Sequence, residues 1–272
     1  MNPGRYPDIN IHDYHSGPGI SKSGLDRIAR SPKHYQSSLT ASREQTDDFL
    51  FGSIVHTLVL EPDKFADEYI VAPKCDRRTK AGKDTWAAFE AESNGREVVK
   101  EDIYTHARAA ADEVLKHPKV GLLLESGTVE ESFYWRDAAE GVLCRCRPDF
   151  LHANCDYIVD LKTTRDASRL AFGSSAAKFR YHVQAAFYLA GVEAVTGIKP
   201  EGFLFVTVEK EPPYAVAVYE ADPDFIAVGH ELMRRDLRAY AECFFSGEWP
   251  GYPEVITPLV LPRWATYESE VA

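Results

Sequence analysis

The sequence has few cysteines, no long apolar run and no excess of basic residues. Five cysteines among 272 residues, without framework spacing, exclude a disulfide scaffold and favour reduced thiols. No stretch approaches the roughly 18 to 20 apolar residues that a membrane span requires. Residues 1–10 contain neither the basic nor the apolar segment of a secretory signal. We therefore expect a cytoplasmic protein that does not associate with membranes.

The charge balance is acidic, with 31 Lys and Arg against 42 Asp and Glu, a formal net charge of −11. This balance argues against a protein coated in nucleic acid, but it leaves a local DNA groove possible. Residues 74–83 carry five bases against one acid. This segment is interpreted either as a solvated loop or as a source of phosphate contacts.

The composition is that of a globular protein, with 44% hydrophobic and 27% charged residues and no internal repeat. We expect residues 1–272 to form one α/β domain with an α-rich amino-terminal third. Residues 1–120 are predicted to be mainly helical, and residues 121–247 to hold the sheet and its helices. Residues 248–272, rich in proline, are predicted to form an extended tail against the body.

Hydrophobic periodicity predicts most of the regular elements. A helix that begins after Thr46 repeats apolar residues at helical spacing, carries His56 and ends before Pro62. Further helices are predicted over 80–93, 101–116, 176–195 and 223–245. Strands are predicted over 128–136, 141–151, 155–163, 203–208 and 215–219, the first three as an antiparallel meander.

The centre of the sequence is Pro148-Asp149, then ten intervening residues, then Asp160-Leu161-Lys162. Alternate side chains of a strand share a face, so Asp160 and Lys162 project together. A hairpin that turns at residues 153–154 would place Asp149 opposite Ile158. The two carboxylates would then be diagonal neighbours, about 7–8 Å apart.

Two carboxylates and a lysine at this spacing suit metal-assisted phosphodiester hydrolysis. Oxygen ligands favour Mg²⁺, with Mn²⁺ able to substitute, and such an ion activates the attacking water. Lys162 would position that water or stabilise developing charge. A solvated Asp–Lys pair beside an ordinary Pro-Asp turn is the alternative interpretation.

Several stretches in this order resemble a known nuclease family. They are Ile20–Asp26, Arg30–Tyr35, Phe51–Leu58, Asp76–Lys83, the two motifs above and Tyr181–Tyr188. Together they resemble the phage-type RecE or exonuclease VIII domain of the PD-(D/E)xK nuclease superfamily, from about Ile20 to Trp264. The resemblance implies a restriction-endonuclease-like mixed sheet flanked by helices.

The resemblance also implies an activity and partners. Members of this family are Mg²⁺-dependent exonucleases that trim linear double-stranded DNA from its 5′ ends. They leave a 3′ single strand for a RecT-like single-strand annealing protein, and they assemble as homo-oligomeric rings. We therefore expect double-stranded DNA ends as substrate, an annealing protein as partner and a ring as the assembly.

The family's functional residues are carried over by position. The resemblance makes Asp149 and Asp160 metal ligands, Lys162 the catalytic lysine, and His56 and the Leu161 carbonyl further ligands. Gln184 and Tyr188, four residues apart on one helical face, would position substrate. Without the resemblance, His56 is interpreted as a core histidine, and Gln184 with Tyr188 as a buried hydrogen-bonding pair.

Weaker candidates concern DNA contacts and an outer carboxylate. In the basic segment, Arg77, Arg78, Lys80 and Lys83 are candidate phosphate ligands, and Arg165 would continue the track. Ser21 and Ser23 would either hold a 5′-phosphate or cap a helix. Glu131 is interpreted as an outer carboxylate of the site or, more simply, as part of a solvated strand face.

Two further functions fit the same residues. One is a single-strand or structure-specific endonuclease with the same chemistry, which a closed circular substrate would distinguish. The other is a non-catalytic protein that binds DNA ends during recombination, which the presence of all expected ligands disfavours.

Overall fold

A computed structural model describes residues 1–41 and 46–261. Its helices are α1 (Ile11–Ser16), α2 (Lys22–Arg30), α3 (Pro32–Ser38), α4 (Asp47–Leu60), α5 (Phe65–Glu68), α6 (Lys80–Ser93), α7 (Glu101–Lys116), α8 (Pro118–Leu123), α9 (Arg169–Lys178), α10 (Tyr181–Thr196) and α11 (Pro223–Ser246). Its strands are β1 (Gly4–Tyr6), β2 (Tyr69–Val71), β3 (Glu97–Val99), β4 (Gly127–Val129), β5 (Ser132–Arg136), β6 (Leu143–Cys146), β7 (Phe150–His152), β8 (Tyr157–Thr164), β9 (Gly202–Glu209) and β10 (Val216–Glu220). The expected mixed α/β fold with an α-rich amino-terminal third is confirmed.

The central sheet has five strands in the order β10–β9–β8–β7–β4. Strands β8 and β9 are parallel and the other pairs are antiparallel, so the sheet is mixed as the resemblance implied. A second sheet has the order β1–β5–β6, and β2 pairs with β3 in parallel. The amino-terminal strand β1 thus forms one edge of the second sheet.

Helices cover both faces of the central sheet. Ile54 of α4 packs in one core with Val159 and Leu161 of β8. Ile158 of β8 packs in the other core, with Val183 of α10 and further residues of α11. Since β8 is buried on both sides, any polar group on it needs a partner inside the protein. None of the helices in the described ranges is long and apolar enough to span a membrane.

Two strands expected to be continuous are interrupted. The stretch 128–136 divides at Glu130 into β4 and β5, which belong to different sheets. Glu130 has a left-handed backbone, with φ of 50°, and this conformation ends an extended strand. The stretch 141–151 divides into β6 and β7 around Pro148, whose missing N–H cannot continue a ladder. The predicted three-strand meander is therefore wrong.

Helix α4 is defined by its ends. The Thr46 side chain accepts a hydrogen bond from the Phe49 amide, and Asp47 and Asp48 place negative charge in the first turn. The helix ends at Leu60 and is followed by Glu61 and Pro62. This matches the prediction and places His56 in the carboxyl-terminal half of the helix.

The helix expected over 176–195 is instead two helices. Helix α9 begins earlier, at Arg169, and α10 begins at Tyr181. Between them Arg180 has φ of 57°, which an α-helix cannot accommodate. The helices predicted over 80–93, 101–116 and 223–245 are confirmed, the last with one added residue.

The carboxyl-terminal tail is only partly packed against the body. Trp249 stacks on Tyr35, and the Pro250 carbonyl accepts a hydrogen bond from the Lys33 amide. Residues 251–261 are all exposed, although the Tyr252 ring still lies 5.6 Å from the His34 ring of α3, so the tail contacts the body at its start and is exposed beyond it. The rest of the expected tail, residues 262–272, lies outside the described residues.

Candidate active site

The pairing of β7 with β8 brings the two predicted motifs together. Phe150 pairs with Val159 and Leu151 with Ile158. Continuing this register places Asp149 level with Asp160, rather than opposite Ile158 as the sequence suggested. The turn is longer than expected, because β7 ends at His152 and β8 begins at Tyr157.

Asp149, directly before β7, is held against the middle of β8. Its Oδ2 accepts a hydrogen bond from the Leu161 amide at 2.8 Å. The same oxygen lies 3.5 Å from Nδ1 of His56. Its side chain is 14% exposed, which leaves the carboxylate accessible from one side.

His56 reaches the same strand from α4. Its Nε2 lies 2.7 Å from the Leu161 carbonyl oxygen, within hydrogen-bonding distance. The ring thus contacts both Leu161 and Asp149, two of its predicted co-ligands. This placement differs from that of an ordinary core histidine, because the side chain is 27% exposed and faces a carboxylate.

Glu130 is a candidate ligand that the sequence reasoning missed. Its amide donates to the Asp149 carbonyl at 3.1 Å, and its Oε2 accepts from Nε of Arg147 at 2.8 Å. Ligand atoms of His56, Glu130 and Asp149 all lie within 4.8 Å of one another. The turn between β4 and β5 brings this carboxylate to the site, and neither strand periodicity nor the quoted motifs contains a signal for that turn.

Glu131, which the sequence reasoning considered instead, has a different environment. Its carboxylate accepts hydrogen bonds from Arg5 at 2.9 and 2.6 Å and from Thr128 at 3.0 Å. The residue is buried, so its interpretation as part of a solvated strand face is wrong. Through its contact with Arg5, Glu131 ties the edge strand β1 to the residues directly before β5.

The local electrostatics favour a cation. Burial, and then the Asp149 charge, raise the pKa of Glu130 to about 7. Two carboxylates and an imidazole converge there, and hard oxygen donors are the ligands that Mg²⁺ and Mn²⁺ prefer. The donor set of His56, Glu130 and Asp149 therefore fits a divalent metal ion.

Asp160 lies inside the protein, beside this cluster. It is fully buried, and its carboxylate contacts the Lys162 amino group and accepts a hydrogen bond from the Gln184 amide. Burial raises the pKa of Asp160 to about 6, with Lys162 opposing the shift. The structure thus joins Asp160 to Lys162 and Gln184, whereas the group of possible metal ligands comprises His56, Glu130 and Asp149.

Lys162 lies on the same face of β8 as Asp160. Burial lowers the pKa of its amino group, but the Asp160 and Asp149 charges outweigh burial and the net shift is upward. The amino nitrogen lies 5.0 Å from the centre of the Tyr181 ring. Lys162 therefore stays charged at neutral pH.

Gln184 and Tyr188 have separate roles in the packing of α10. Gln184 is buried against Asp160 and fixes the orientation of that carboxylate. Tyr188 packs edge-on against Phe203, with ring centres 6.3 Å apart. Burial raises the pKa of Tyr188 far above its ordinary value, so its hydroxyl stays protonated.

Ser21 and Ser23 begin helix α2. Ser21 caps the helix, and its Oγ lies 3.1 Å from Oγ of Ser23. Between them, the Lys22 amino nitrogen lies 5.6 Å from the Tyr181 ring centre. Tyr181 therefore has the amino groups of both Lys22 and Lys162 near its ring.

The basic segment forms a surface turn before α6. Arg77 lies over the Trp86 ring at 4.1 Å, and Arg78 pairs with Asp76 at 3.0 Å. Lys80 and Lys83 are exposed in the first turn of α6. Arg165 is exposed directly after β8 ends.

The fold and site together define a class of protein. A mixed sheet flanked by helices carries Asp149 next to a buried Asp160-Leu161-Lys162 strand, which is the arrangement of a PD-(D/E)xK nuclease. The chain belongs to the family described as a PDDEXK-like domain of unknown function (DUF3799), whose model matches residues 21–258.

Among solved structures, the chain is similar to a candidate exonuclease from Eubacterium rectale. The two share 14% sequence identity with a TM-score of 0.61, over 93% of this chain and 96% of that chain. SSO0001 is 16% identical over 84% of this chain and 86% of that chain, but its TM-score of 0.31 is too low to indicate a shared fold. The search of curated proteins finds no match.

Proposed function

We propose that this protein is a Mg²⁺-dependent 5′–3′ exodeoxyribonuclease. It degrades linear double-stranded DNA and leaves 3′ single strands for recombination by annealing. The observation that carries the proposal is the convergence of His56, Glu130 and Asp149 within 4.8 Å, beside the buried Asp160–Lys162 pair. Such a site combines ligands for a divalent cation with a fixed positive charge.

In the proposed site, His56, Glu130 and Asp149 hold the cation, with the Leu161 carbonyl adjacent to His56. A bound divalent cation offsets charge on the scissile phosphate and lowers the pKa of a water molecule. Mn²⁺ is expected to substitute for Mg²⁺, since both ions take carboxylate and carbonyl oxygens as ligands. Asp160 is placed next to the cluster and holds Lys162.

Lys162 provides the fixed positive charge of the reaction. Because its pKa is raised, the amino group is protonated at neutral pH and serves as a hydrogen-bond donor rather than a base. Asp160 orients it, and Gln184 orients Asp160. These contacts fix the position of the Lys162 ammonium, so it can stabilise the negative charge that develops on the phosphate without rearrangement of the site.

The start of α2 supports attack at a 5′ end. Ser21 and Ser23 place two hydroxyls at the helix start, and the Lys22 ammonium, which pairs with Asp26 at 2.8 Å, lies near the Tyr181 ring that also borders Lys162. A helix amino terminus with hydroxyls favours a phosphate. We assign the 5′-terminal phosphate to this position, although Ser21 also caps the helix.

Assembly and partners are proposed on the resemblance to RecE. A homo-oligomeric ring can be acidic outside and basic within, which is compatible with a net charge of −11. The basic turn with Arg77, Arg78, Lys80 and Lys83 would then contact duplex phosphates, as would Arg165. The 3′ strand would pass to a RecT-like annealing protein.

A digestion assay tests the activity. Linear duplex with one labelled 5′-phosphate end and a matched closed circle are incubated with Mg²⁺ or Mn²⁺. Wild-type protein is expected to shorten the linear duplex from the 5′ end and to leave the circle intact. Asp160→Asn is expected to abolish digestion. Asp156→Asn, whose side chain is 45% exposed beside His152 in the turn before β8, serves as the matched control.

Other outcomes identify the alternatives. Nicking of the circle would indicate an endonuclease of the same superfamily. Activity retained by Asp160→Asn would contradict the proposed roles in the site. No digestion by folded wild-type protein with either metal would favour a protein that only binds DNA ends.

A further inference from the structure

Phe179 is an exposed aromatic residue at the junction of α9 and α10. Its side chain is 51% exposed, although apolar rings of this size are usually buried. A single exposed ring is common on a protein surface, so a binding role for it requires a second observation. That observation is the set of cationic and aromatic groups around this ring.

Three groups surround Phe179. Its ring is stacked with Tyr181, with centres 5.9 Å apart and planes 28° apart. The exposed Lys178 places its amino nitrogen 5.5 Å from the Phe179 ring centre. Lys22 donates a hydrogen bond to the Phe179 carbonyl at 2.7 Å. The exposed ring therefore has the Lys178 ammonium beside it, whereas the Lys22 ammonium is held between the Phe179 carbonyl and Asp26, at 2.8 Å from the carboxylate.

Tyr181 connects this surface to the candidate active site. The Lys162 amino nitrogen lies 5.0 Å from the Tyr181 ring centre, and Tyr181 lies 5.9 Å from Phe179. The Phe179 ring is thus within about 11 Å of that nitrogen. At a rise of about 3.4 Å per nucleotide, this distance is no more than about three stacked nucleotides.

The backbone holds the ring in place. Arg180 adopts the left-handed region with φ of 57°, which is unfavourable for a residue with a Cβ atom. Its guanidinium bonds to Asp26 of α2 at 3.0 Å and to the buried Asp236 of α11. These ion pairs fix the junction between α9 and α10, so the orientation of Phe179 is set before any ligand binds.

We propose that Phe179 is the stacking platform for a nucleobase of the strand that is cut, within three nucleotides of the phosphate at Lys162. Proteins that hold single strands combine aromatic faces for the bases with cations for the backbone, and this surface has both. Phe179 therefore positions the strand without discriminating strongly among bases. The inference rests on the proposed nuclease function.

A fluorescent-base experiment tests the platform. Four 5′-phosphorylated duplexes each carry 2-aminopurine at one of the first four positions of the 5′ strand. Binding is measured in EDTA, so that no DNA is cut. We expect quenching at one or two adjacent positions with wild-type protein. Phe179→Ala should lose that quenching and bind the duplex about tenfold more weakly, because it loses one base–aromatic stacking contact.

Two variants separate stacking from general damage. Phe179→Tyr keeps the ring and is expected to restore quenching and affinity. Phe245→Ala removes a ring that is 68% exposed in the last turn of α11 and is expected to behave as wild type. In digestion with Mg²⁺, Phe179→Ala should raise KM about tenfold and change kcat less than twofold.

The results separate this inference from the proposed function. If Phe179→Ala quenches and binds as wild type while the protein digests DNA, the platform is refuted and the nuclease stands. If quenching depends on Phe179 but no DNA is cut with either metal, the stacking role of Phe179 in DNA binding is supported and the proposed nuclease function is refuted. Absence of both binding and digestion by folded protein overturns both.

Discussion

Replacing Glu130 with glutamine is expected to stabilise the metal-free protein at pH 8. Ligand atoms of Glu130 and Asp149 belong to a cluster in which all lie within 4.8 Å of one another. At an effective dielectric constant of about 20, two unit charges at that distance repel by about 3.5 kcal/mol. Glutamine can still accept the hydrogen bond from Arg147. Glu130→Gln therefore removes a charge that burial and Asp149 disfavour more than the ion pair with Arg147 favours it.

The effect should depend on pH in a definite direction. Burial and the Asp149 charge raise the pKa of Glu130 from 4.5 to about 7. Between these values the folded protein retains a proton that the unfolded chain has released, so stability falls as pH rises. At about 1.36 kcal/mol per pH unit the full loss is about 3 kcal/mol above pH 7. This figure is the net effect of burial, Asp149 repulsion and the opposing Arg147 and His56 contacts, so the repulsion is not added to it.

Thermal unfolding in EDTA measures the difference. In a protein of this size about 1 kcal/mol shifts Tm by about 2–4 °C, so Glu130→Gln should raise Tm by about 5 °C or more at pH 8. At pH 5 the two proteins should differ by less than about 2 °C. Mg²⁺ at one hundred times its Kd adds about 2.7 kcal/mol to the wild type, and should stabilise the variant less.

The neighbouring carboxylate provides the control. Glu131→Gln alters a buried carboxylate that pairs with Arg5 and lies outside the cluster, so it should give no gain in Tm at pH 8. The reasoning is refuted if Glu130→Gln lowers Tm at pH 8, or if its effect is the same at pH 5 and pH 8. Equal stabilisation of both proteins by Mg²⁺ would remove Glu130 from the metal ligands.

The remaining predictions concern the lysine, its support and the packing of α10. Lys162→Ala is expected to reduce kcat by at least about a hundredfold while binding of DNA in EDTA persists, because a preorganised charge acts mainly in the transition state. Gln184→Leu leaves a buried oxygen of Asp160 without its donor and should cost about 1–3 kcal/mol in chemical denaturation, with a lower kcat. Gly229→Ala would bring a Cβ to 1.9 Å from a backbone carbonyl of α10 and should lower Tm strongly, whereas Gly121→Ala, with nothing within 4 Å, should not.

The sequence predicted those elements whose signals are local. The bounds of α6 and α7 follow from helical periodicity, and Pro62 marks where α4 gives way to a new element. The motif Asp160-Leu161-Lys162 also placed its two charged residues on one face of β8, where Gln184 and Tyr181 meet them. Each of these depends on neighbours within a few residues along the chain.

The errors arose at turns and at breaks between elements. Glu130 and Arg180 adopt left-handed backbone conformations that nothing in their residue types announces, so a strand and a helix were each predicted as continuous. The turn between β7 and β8 contains more residues than the predicted pair, Ala153 and Asn154. The longer turn shifts the strand register, so Asp149 lies level with Asp160. The role of Glu130 was missed because its carboxylate turns toward Asp149 only where the chain breaks between β4 and β5.

Two contacts made by the amino-terminal residues have a practical consequence for protein production. Arg5 holds Glu131, and the Ile9 carbonyl accepts a hydrogen bond at 2.7 Å from Arg147, which itself holds Glu130. The family match begins at residue 21, beyond both contacts. An expression plasmid trimmed to the family boundary would remove the anchors behind one candidate ligand, and could yield a folded but inactive enzyme that misleads a screen.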